Sequence, residues 1–266
     1  MNLLSIVEQT DVAYKSAFSN HTKRSWGYLF WNEENPGHYD ANHAHVSNAV
    51  TDLQQAAEIA DEIIPFFEEK GIYPRLYLYD APNQQKLVEV LEQRGFRTEE
   101  LPSPVQIWQG ELAQVNEHSS VTIEPVTAAN YEECLLVESV PEFGGKDVRE
   151  KAFAQEFAHP DFQHFLLRVE GEPASSLCLL RAGDVVRVEN VATLPAFRGR
   201  GLIGHLIRHL IRHAQEQFIQ SKSSELWVCP INERVENVYS RYGFVTVGTI
   251  PFLHVFRGGK GVLEIR

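Results

Sequence analysis

Apolar residues at positions 202, 203, 206, 207, 210, 211 and 214 fall on one face of a helix. The meander expected upstream of it consists of three strand-like runs, "FQHFLLRV", "ASSLCLL" and "VVRVENVATL", separated by the turn-forming "EGEP" and "RAGD". Before these stand a short strand at Val121–Val126, a helix in "AANYEECLLVESV" with Tyr131, Leu135 and Val140 on one side, a break at "PEFGG" and a second helix in "DVREKAFAQEFA". After the amphipathic helix, "SELWVCPI" predicts a strand, and "NERVENVYSRYGF" a helix stopped at Gly243. "VTVGTI" and "FLHVFRG" are expected to pair and close the domain.

A similar pattern occurs earlier. "LYLYDAPNQQKLVEVLEQRGF" (76–96) aligns with "SELWVCPINERVENVYSRYGF" (224–244) at a constant offset of 148 positions. Leu78, Pro82, Val90, Gly95 and Phe96 match Leu226, Pro230, Val238, Gly243 and Phe244. At the same offset Asn42 falls on Asn190, and the helical run 51–70 falls on the amphipathic helix. The two halves are therefore expected to share a fold. The first half carries "HYDANHAHVSNA" where the second carries "VENVATLPAFRGRG", with Gln84 for Asn232 and Leu91 for Tyr239, so chemistry is expected only in the second. The polar stretch "ELAQVNEHSS" (111–120) lacks sustained apolar periodicity and suggests the division: a first domain over 1–112, a linker over 113–120 and a second domain over 121–266.

The chain has 266 residues, 43 % of them hydrophobic and 11 % aromatic, which suits two globular domains. No apolar run reaches the ~20 residues of a membrane span, and the start has no basic segment of a signal peptide. Cys134, Cys178 and Cys229 are too few and too scattered for a disulfide framework, so a cytoplasmic protein is expected. A formal net charge of −12 argues against nucleic acid as a partner.

Gly199, Gly201 and Gly204 crowd the start of the amphipathic helix. Glycines at a helix start let backbone approach a ligand, and the first amides of a helix lack internal partners, so a phosphate is the expected guest. "GRGLIG" fits the dinucleotide pattern Gly-x-Gly-x-x-Gly, but a meander precedes it where that fold needs alternating strands and helices. A P-loop needs Lys and Ser or Thr after its last glycine, and His205 and Leu206 stand there. The succession strand, "TLPAFRGRGLIGHLI", helix, strand, and a helix with Asn232 and Tyr239 before "GF" resembles the GNAT acyl-CoA N-acyltransferase superfamily. That family's turn reads Gln/Arg-x-x-Gly-x-Gly/Ala; Arg198 and Gly201 match, whereas Ile203 holds the last position and glycine follows at Gly204.

The resemblance implies an α/β (α+β) protein with two GNAT-like domains, each a mixed, largely antiparallel sheet flanked by helices, the first of them degenerate. It implies acetyl-CoA as co-substrate, held by Arg198, Gly199, Arg200, Gly201, Leu202, Ile203 and Gly204 at the pyrophosphate. It also implies backbone of Val191, Ala192 and Thr193, together with Asn232, along the pantetheine arm. Tyr239 matches the family's donor to the departing thiolate. Glu189, two residues before Val191 and expected on its face, is the candidate base, with a water chain as the alternative. The acceptor is expected to be an amine of a small molecule or peptide, near the loop 140–147 that carries Glu142 and Asp147.

His38, Asp40, His43 and His45 invite a metal reading, but His43 and His45 share a strand face that Asp40 does not, so a structural role is expected. His205, His209 and His213, with Arg208 and Arg212, read as a solvated helix face. The expectation is thus an acetyltransferase that needs no metal; the alternatives are a non-catalytic acyl-CoA sensor and a metal-dependent enzyme built on the first-domain histidines.

Overall fold

A computed structural model describes residues 3–101, 103–110, 120–218 and 225–265. It divides into two compact units, one formed by Met1–Ser103 with Ile250–Arg266, the other by Pro104–Thr249. Chain order gives α1 (Leu3–Ser16), β1 (Asn20–Arg24), β2 (Gly27–Trp31), β3 (His43–Val46), α2 (Leu53–Glu69), β4 (Arg75–Leu78), α3 (Gln85–Gln93), β5 (Arg97–Glu100) and β6 (Ser103–Trp108). There follow β7 (Val121–Pro125), α4 (Tyr131–Glu138), α5 (Lys146–Ala158), β8 (Phe162–Val169), β9 (Glu172–Ala182), β10 (Val185–Thr193), α6 (Leu202–Gln217), β11 (Glu225–Val228), α7 (Glu233–Ser240), β12 (Phe244–Ile250) and β13 (Leu253–Phe256).

The first unit holds a sheet of order β1-β2-β3-β4-β13-β5, the second a sheet of order β7-β8-β9-β10-β11-β6-β12. In each, an antiparallel meander leads to a parallel pair joined through a helix: β3 with β4 through α2, and β10 with β11 through α6. Apart from the extra β7, the two strand orders repeat the same plan, as the offset alignment leads one to expect. The core of the second unit packs α6 through Leu206, Ile207, Leu210 and Ile211 against Leu177, Leu179, Val186 and Val188 of the meander.

Strands β6 and β13 correct the linear division of the chain. β13 lies between β4 and β5, and β6 lies between β11 and β12, so each half of the sequence contributes its last strand to the other half's sheet. The expected hairpin between "VTVGTI" and "FLHVFRG" therefore does not form. The residues separating β12 from β13 are Pro251 and Phe252, and those separating β5 from β6 are Leu101 and Pro102. A two-residue hairpin turn needs a positive φ, which proline cannot adopt and glycine or asparagine supplies. Both links lack such a residue. The burial of β13 at His254, Val255 and Phe256 is that of an interior strand. Of the expected linker 113–120, only Ser120 is among the described residues.

Two of the histidines weighed as metal ligands lie in the core of the first unit. His43 and His45 are fully buried on β3 and lie against the rings of Tyr77 (4.3 Å) and Tyr79 (4.1 Å). Burial lowers both imidazoles, His45 to about 3, so both are neutral. The expected solvated face of α6 is also corrected: His209 and His213 pack on Phe165 at 5.1 and 4.9 Å, and His213 hydrogen-bonds Gln163 at 2.6 Å. Among the described residues no helix is long and apolar enough to cross a membrane.

Candidate functional site

The parallel pairing of β10 with β11 covers only Val185–Arg187 against Glu225–Trp227, while β10 runs on to Thr193 alongside β9. β11 ends at Val228, so along Val188–Thr193 the β11 side of β10 has no ladder partner among the described residues, and this open edge is the candidate cleft. The register on the β9 side steps from Glu189↔Cys178 to Ala192↔Ser176, three residues against two. This is a β-bulge, and Asn190 at its centre has a φ of +48°. Asparagine tolerates that left-handed conformation better than most residues.

The bulge also corrects the expected alternation. Glu189 lies opposite Cys178 and so faces the side of the sheet that carries α4 and α5, whereas Val191 packs with the α6 core beside Val188. Glu189 and Val191 do not share a face. Glu189 forms an ion pair with Arg187.

After β10 the chain makes a single turn of 3-10 helix at Pro195–Phe197 and enters α6 through Gly199 (φ +79°) and Gly201 (φ +72°). Nothing lies within 4 Å of where a Cβ would sit at either glycine. Their role is thus the left-handed backbone, with open space beside it. Gly201 caps α6 without a side chain, and the amides of Gly199, Arg200, Gly201, Leu202 and Ile203 donate to no described group. Free amides at the positive end of a helix are the groups that attract an anion. The corresponding start of α2 is closed: the Asp52 carboxylate accepts from the Gln55 amide at 2.8 Å and places a negative charge where an anion would sit.

Other predicted residues have work within the fold. Gly204 gives its amide to the Gly201 carbonyl, and a Cβ there would lie 1.8 Å from the Tyr242 hydroxyl, so this glycine makes room for Tyr242. Arg198 donates from Nε to the Thr193 carbonyl (3.0 Å) and pairs with Glu142 (3.0 Å), which ties the glycine turn to the loop expected near the acceptor. The guanidinium of Arg200 lies over the Phe197 ring at 5.4 Å. Ala192 and Thr193 remain in the β9 ladder, and the Ala192 carbonyl accepts from Ser175 Oγ. Asn232 is exposed and caps α7, its Oδ1 accepting from the Val235 amide at 3.0 Å.

Tyr239 lies on α7, only 2 % exposed, with its ring edge-on to Phe244 at 5.3 Å. Burial, and then the charge of Glu189, push its hydroxyl well above a phenol's usual range, so it stays protonated at neutral pH. The hydroxyl donates to no described group. α7 is anchored by β6: Gln106 Nε2 donates to Ser240 Oγ (2.9 Å) and Trp108 Nε1 to the Tyr242 carbonyl (3.2 Å).

Sequence reasoning did not find a buried ionic network beside the bulge. Arg149 on α5 bonds both oxygens of Glu156 (3.0 and 2.8 Å) and also pairs with Glu138 on α4, whose carboxylate meets His164 Nδ1 at 3.3 Å. Burial alone would raise the Glu138 carboxyl, but Arg149 and His164 override it and lower it. Glu138, Glu156 and His164 have the mutual spacing of a metal-ligand set, yet the guanidinium already bonds both carboxylates. A cavity of about 260 Å³ between Phe157, Phe162, His164 and His213 contains none of the predicted site residues.

Comparison with known proteins adds the following. The model of the acetyltransferase (GNAT) family matches residues 130–244. A GCN5-related N-acetyltransferase from Kribbella flavida has a TM-score of 0.70 at 17 % identity, covering 100 % of both chains. A functionally unknown conserved protein from Staphylococcus epidermidis has a TM-score of 0.68 at 14 % identity, covering 91 % of this chain and 95 % of its own. A GCN5-related N-acetyltransferase-like protein from Streptococcus suis gives 0.55 at 12 %, over 96 % and 98 %. At these identities the likeness shows a shared fold: two mixed sheets flanked by helices. No curated protein matches the sequence.

Proposed function

We propose that this chain, whose residues 130–244 match the model of the acetyltransferase (GNAT) family, moves an acetyl group from acetyl-CoA to an amine of a small molecule or peptide. The observation that carries this reading is the row of five unpartnered amides, Gly199 to Ile203, at the end of the cleft where β10 leaves β11. A diphosphate fits those amides, and the open space beside Gly199 and Gly201 admits it. The cleft edge of β10 then offers backbone to an extended arm, with Val191 the freest position because the bulge removes its partner on β9.

Acetyl-CoA, when bound, supplies a thioester whose carbonyl carbon accepts the amine. The nitrogen lone pair forms the N–C bond as the C–S bond breaks; the amine's proton leaves to a base, and the sulfur receives a proton. The Val191 amide donates to the carbonyl oxygen as negative charge gathers there. The Tyr239 hydroxyl, protonated and without a described partner, donates to the departing sulfur. Glu189 faces the side of α4 and α5 and takes the amine's proton directly or through water. The first unit acts as a scaffold: Asp52 closes the start of α2, and Leu91 stands where Tyr239 stands in the second.

Steady-state release of free thiol from acetyl-CoA against a panel of primary amines tests the reading. Amine-dependent release, with the acetylated amine detected by mass, is expected. Tight binding of acetyl-CoA without release for any amine contradicts it and leaves the sensor reading.

A further inference from the structure

Asn190 is the only non-glycine residue of the described second unit, apart from Glu170 in a turn, with a positive φ, and it sits at the step in the β10 register. Its side chain is not loose. Nδ2 donates to Glu156 Oε2 at 2.9 Å. Glu156 is fully buried and held by both terminal nitrogens of Arg149, itself 2 % exposed. Arg149 reaches on to the fully buried Glu138, and Glu138 to His164 on β8. The network thus runs from three separate elements, α4, α5 and β8, and ends at the one residue whose backbone turns the strand.

Stability alone gives little reason for this arrangement. A buried ion pair is often no better than an apolar replacement of the same volume, because removing the charges from water offsets their attraction. A backbone held in a sparsely populated region needs its surroundings to hold it there. The two conditions meet at Asn190.

We propose that Asn190, Glu156 and Arg149 are positioning residues: they lock the β10 bulge so that the following amide, that of Val191, points into the cleft. None of the three touches the substrate in this account. The proposal rests on the acetyl-transfer reading for its kinetic consequence, while the lock itself is a property of the fold.

The test compares Asn190→Gly with the reversed pair Asn190→Asp/Glu156→Gln. Glycine accepts the positive φ without strain and removes only the tether. The reversed pair restores a hydrogen bond in the opposite sense, with the new carboxamide at position 156 donating to the new carboxylate at position 190, and leaves the network's total charge unchanged. A misplacement of about 1 Å in a reacting group can lower the rate on the order of 10²-fold. Asn190→Gly is therefore expected to lower kcat by roughly 10- to 100-fold on that scale, with KM for acetyl-CoA and calorimetric CoA affinity near those of the parent, and the reversed pair to recover at least part of the loss. Hydrogen exchange of the peptide spanning 188–193 is measured in the same proteins without ligand. It should quicken in Asn190→Gly while α6 stays protected.

Parent-like kcat in Asn190→Gly overturns the proposal, as does a fall in kcat matched by a fall in CoA affinity or melting temperature. If the parent protein acetylates no amine, the functional reading fails. The exchange experiment then still decides the lock: unchanged exchange at 188–193 overturns it, and local acceleration there supports it.

Discussion

Deleting residues 250–266 removes β13 and should unfold the first unit while sparing the second. β13 is paired over four positions with β4 and over four with β5, so its loss removes an interior strand and cuts the edge strand β5 from the rest of the sheet. Val255 and Phe256 are at most 1 % exposed. Burying a large apolar side chain is worth ~1.5–3 kcal/mol, so these two contribute about 3–6 kcal/mol. The ladders on both sides add ~0.5–1.5 kcal/mol per net hydrogen bond. Domains of this size have ~5–15 kcal/mol in total. The deletion therefore removes most of the first unit's stability, and even a loss of about 3 kcal/mol lowers its melting temperature by roughly 10 °C. Differential scanning calorimetry with limited proteolysis reads this directly. The expected result is loss of one thermal transition and rapid cleavage within 3–103, with a protected core over 104–249. A first unit that melts within a few degrees of the parent's would refute the strand exchange.

The titrating groups carry two further expectations. Tyr239→Phe should lower kcat by ~10²–10⁴-fold with acetyl-CoA affinity nearly unchanged, since the hydroxyl acts mainly as the bond to sulfur breaks; full activity in a stable Phe variant would remove Tyr239 from the chemistry. Acid should destabilise the first unit. Burial lowers His43, His45 (to about 3) and His254 (to about 4) below the 6.5 of a free imidazole, so the unfolded chain binds more protons as pH falls through that window. The stabilisation is complete above about pH 6.5 and is lost below it, by about 1.4 kcal/mol per pH unit for each group. Urea midpoints measured from about pH 7.5 to about 4.5, a range that crosses the upper part of the window, check the sign; a midpoint that holds or rises on acidification contradicts the neutral buried histidines.

Much of the fold is legible because periodicity reports burial. The spacing of α6, the meander before it and the Gly243 stop all follow from local pattern, and the offset alignment points to two sheets of one plan. The exchange of β6 and β13 is not legible, because a strand's period says which face is buried and not which sheet it joins. Its trace is chemical: the Leu101-Pro102 and Pro251-Phe252 links lack a residue for a hairpin turn.

The glycine turn can be read from composition and position, and the structure separates its members. Gly199 and Gly201 serve the backbone, and Gly204 serves Tyr242. The bulge escapes strand reasoning because period-2 alternation does not run through it, and that alternation is what puts Glu189 and Val191 on one face. An asparagine inside a valine-rich strand is the available signal. The network of Glu138, Arg149, Glu156 and His164 leaves no sequence trace, since its bonded members are 7 to 26 residues apart and meet only in the packed unit.

The proposed reaction requires a single acetyl-CoA site built on the glycine turn of the second unit. Calorimetric titration of the full chain with acetyl-CoA, alongside Gly201→Glu, tests it most directly. A glutamate at Gly201 sets a strained side chain and a negative charge against the free amides, in space that is otherwise open. One equivalent bound per chain, abolished in a Gly201→Glu protein that melts as the parent does, is the predicted result; two equivalents, or an affinity unchanged by the substitution, would contradict the account.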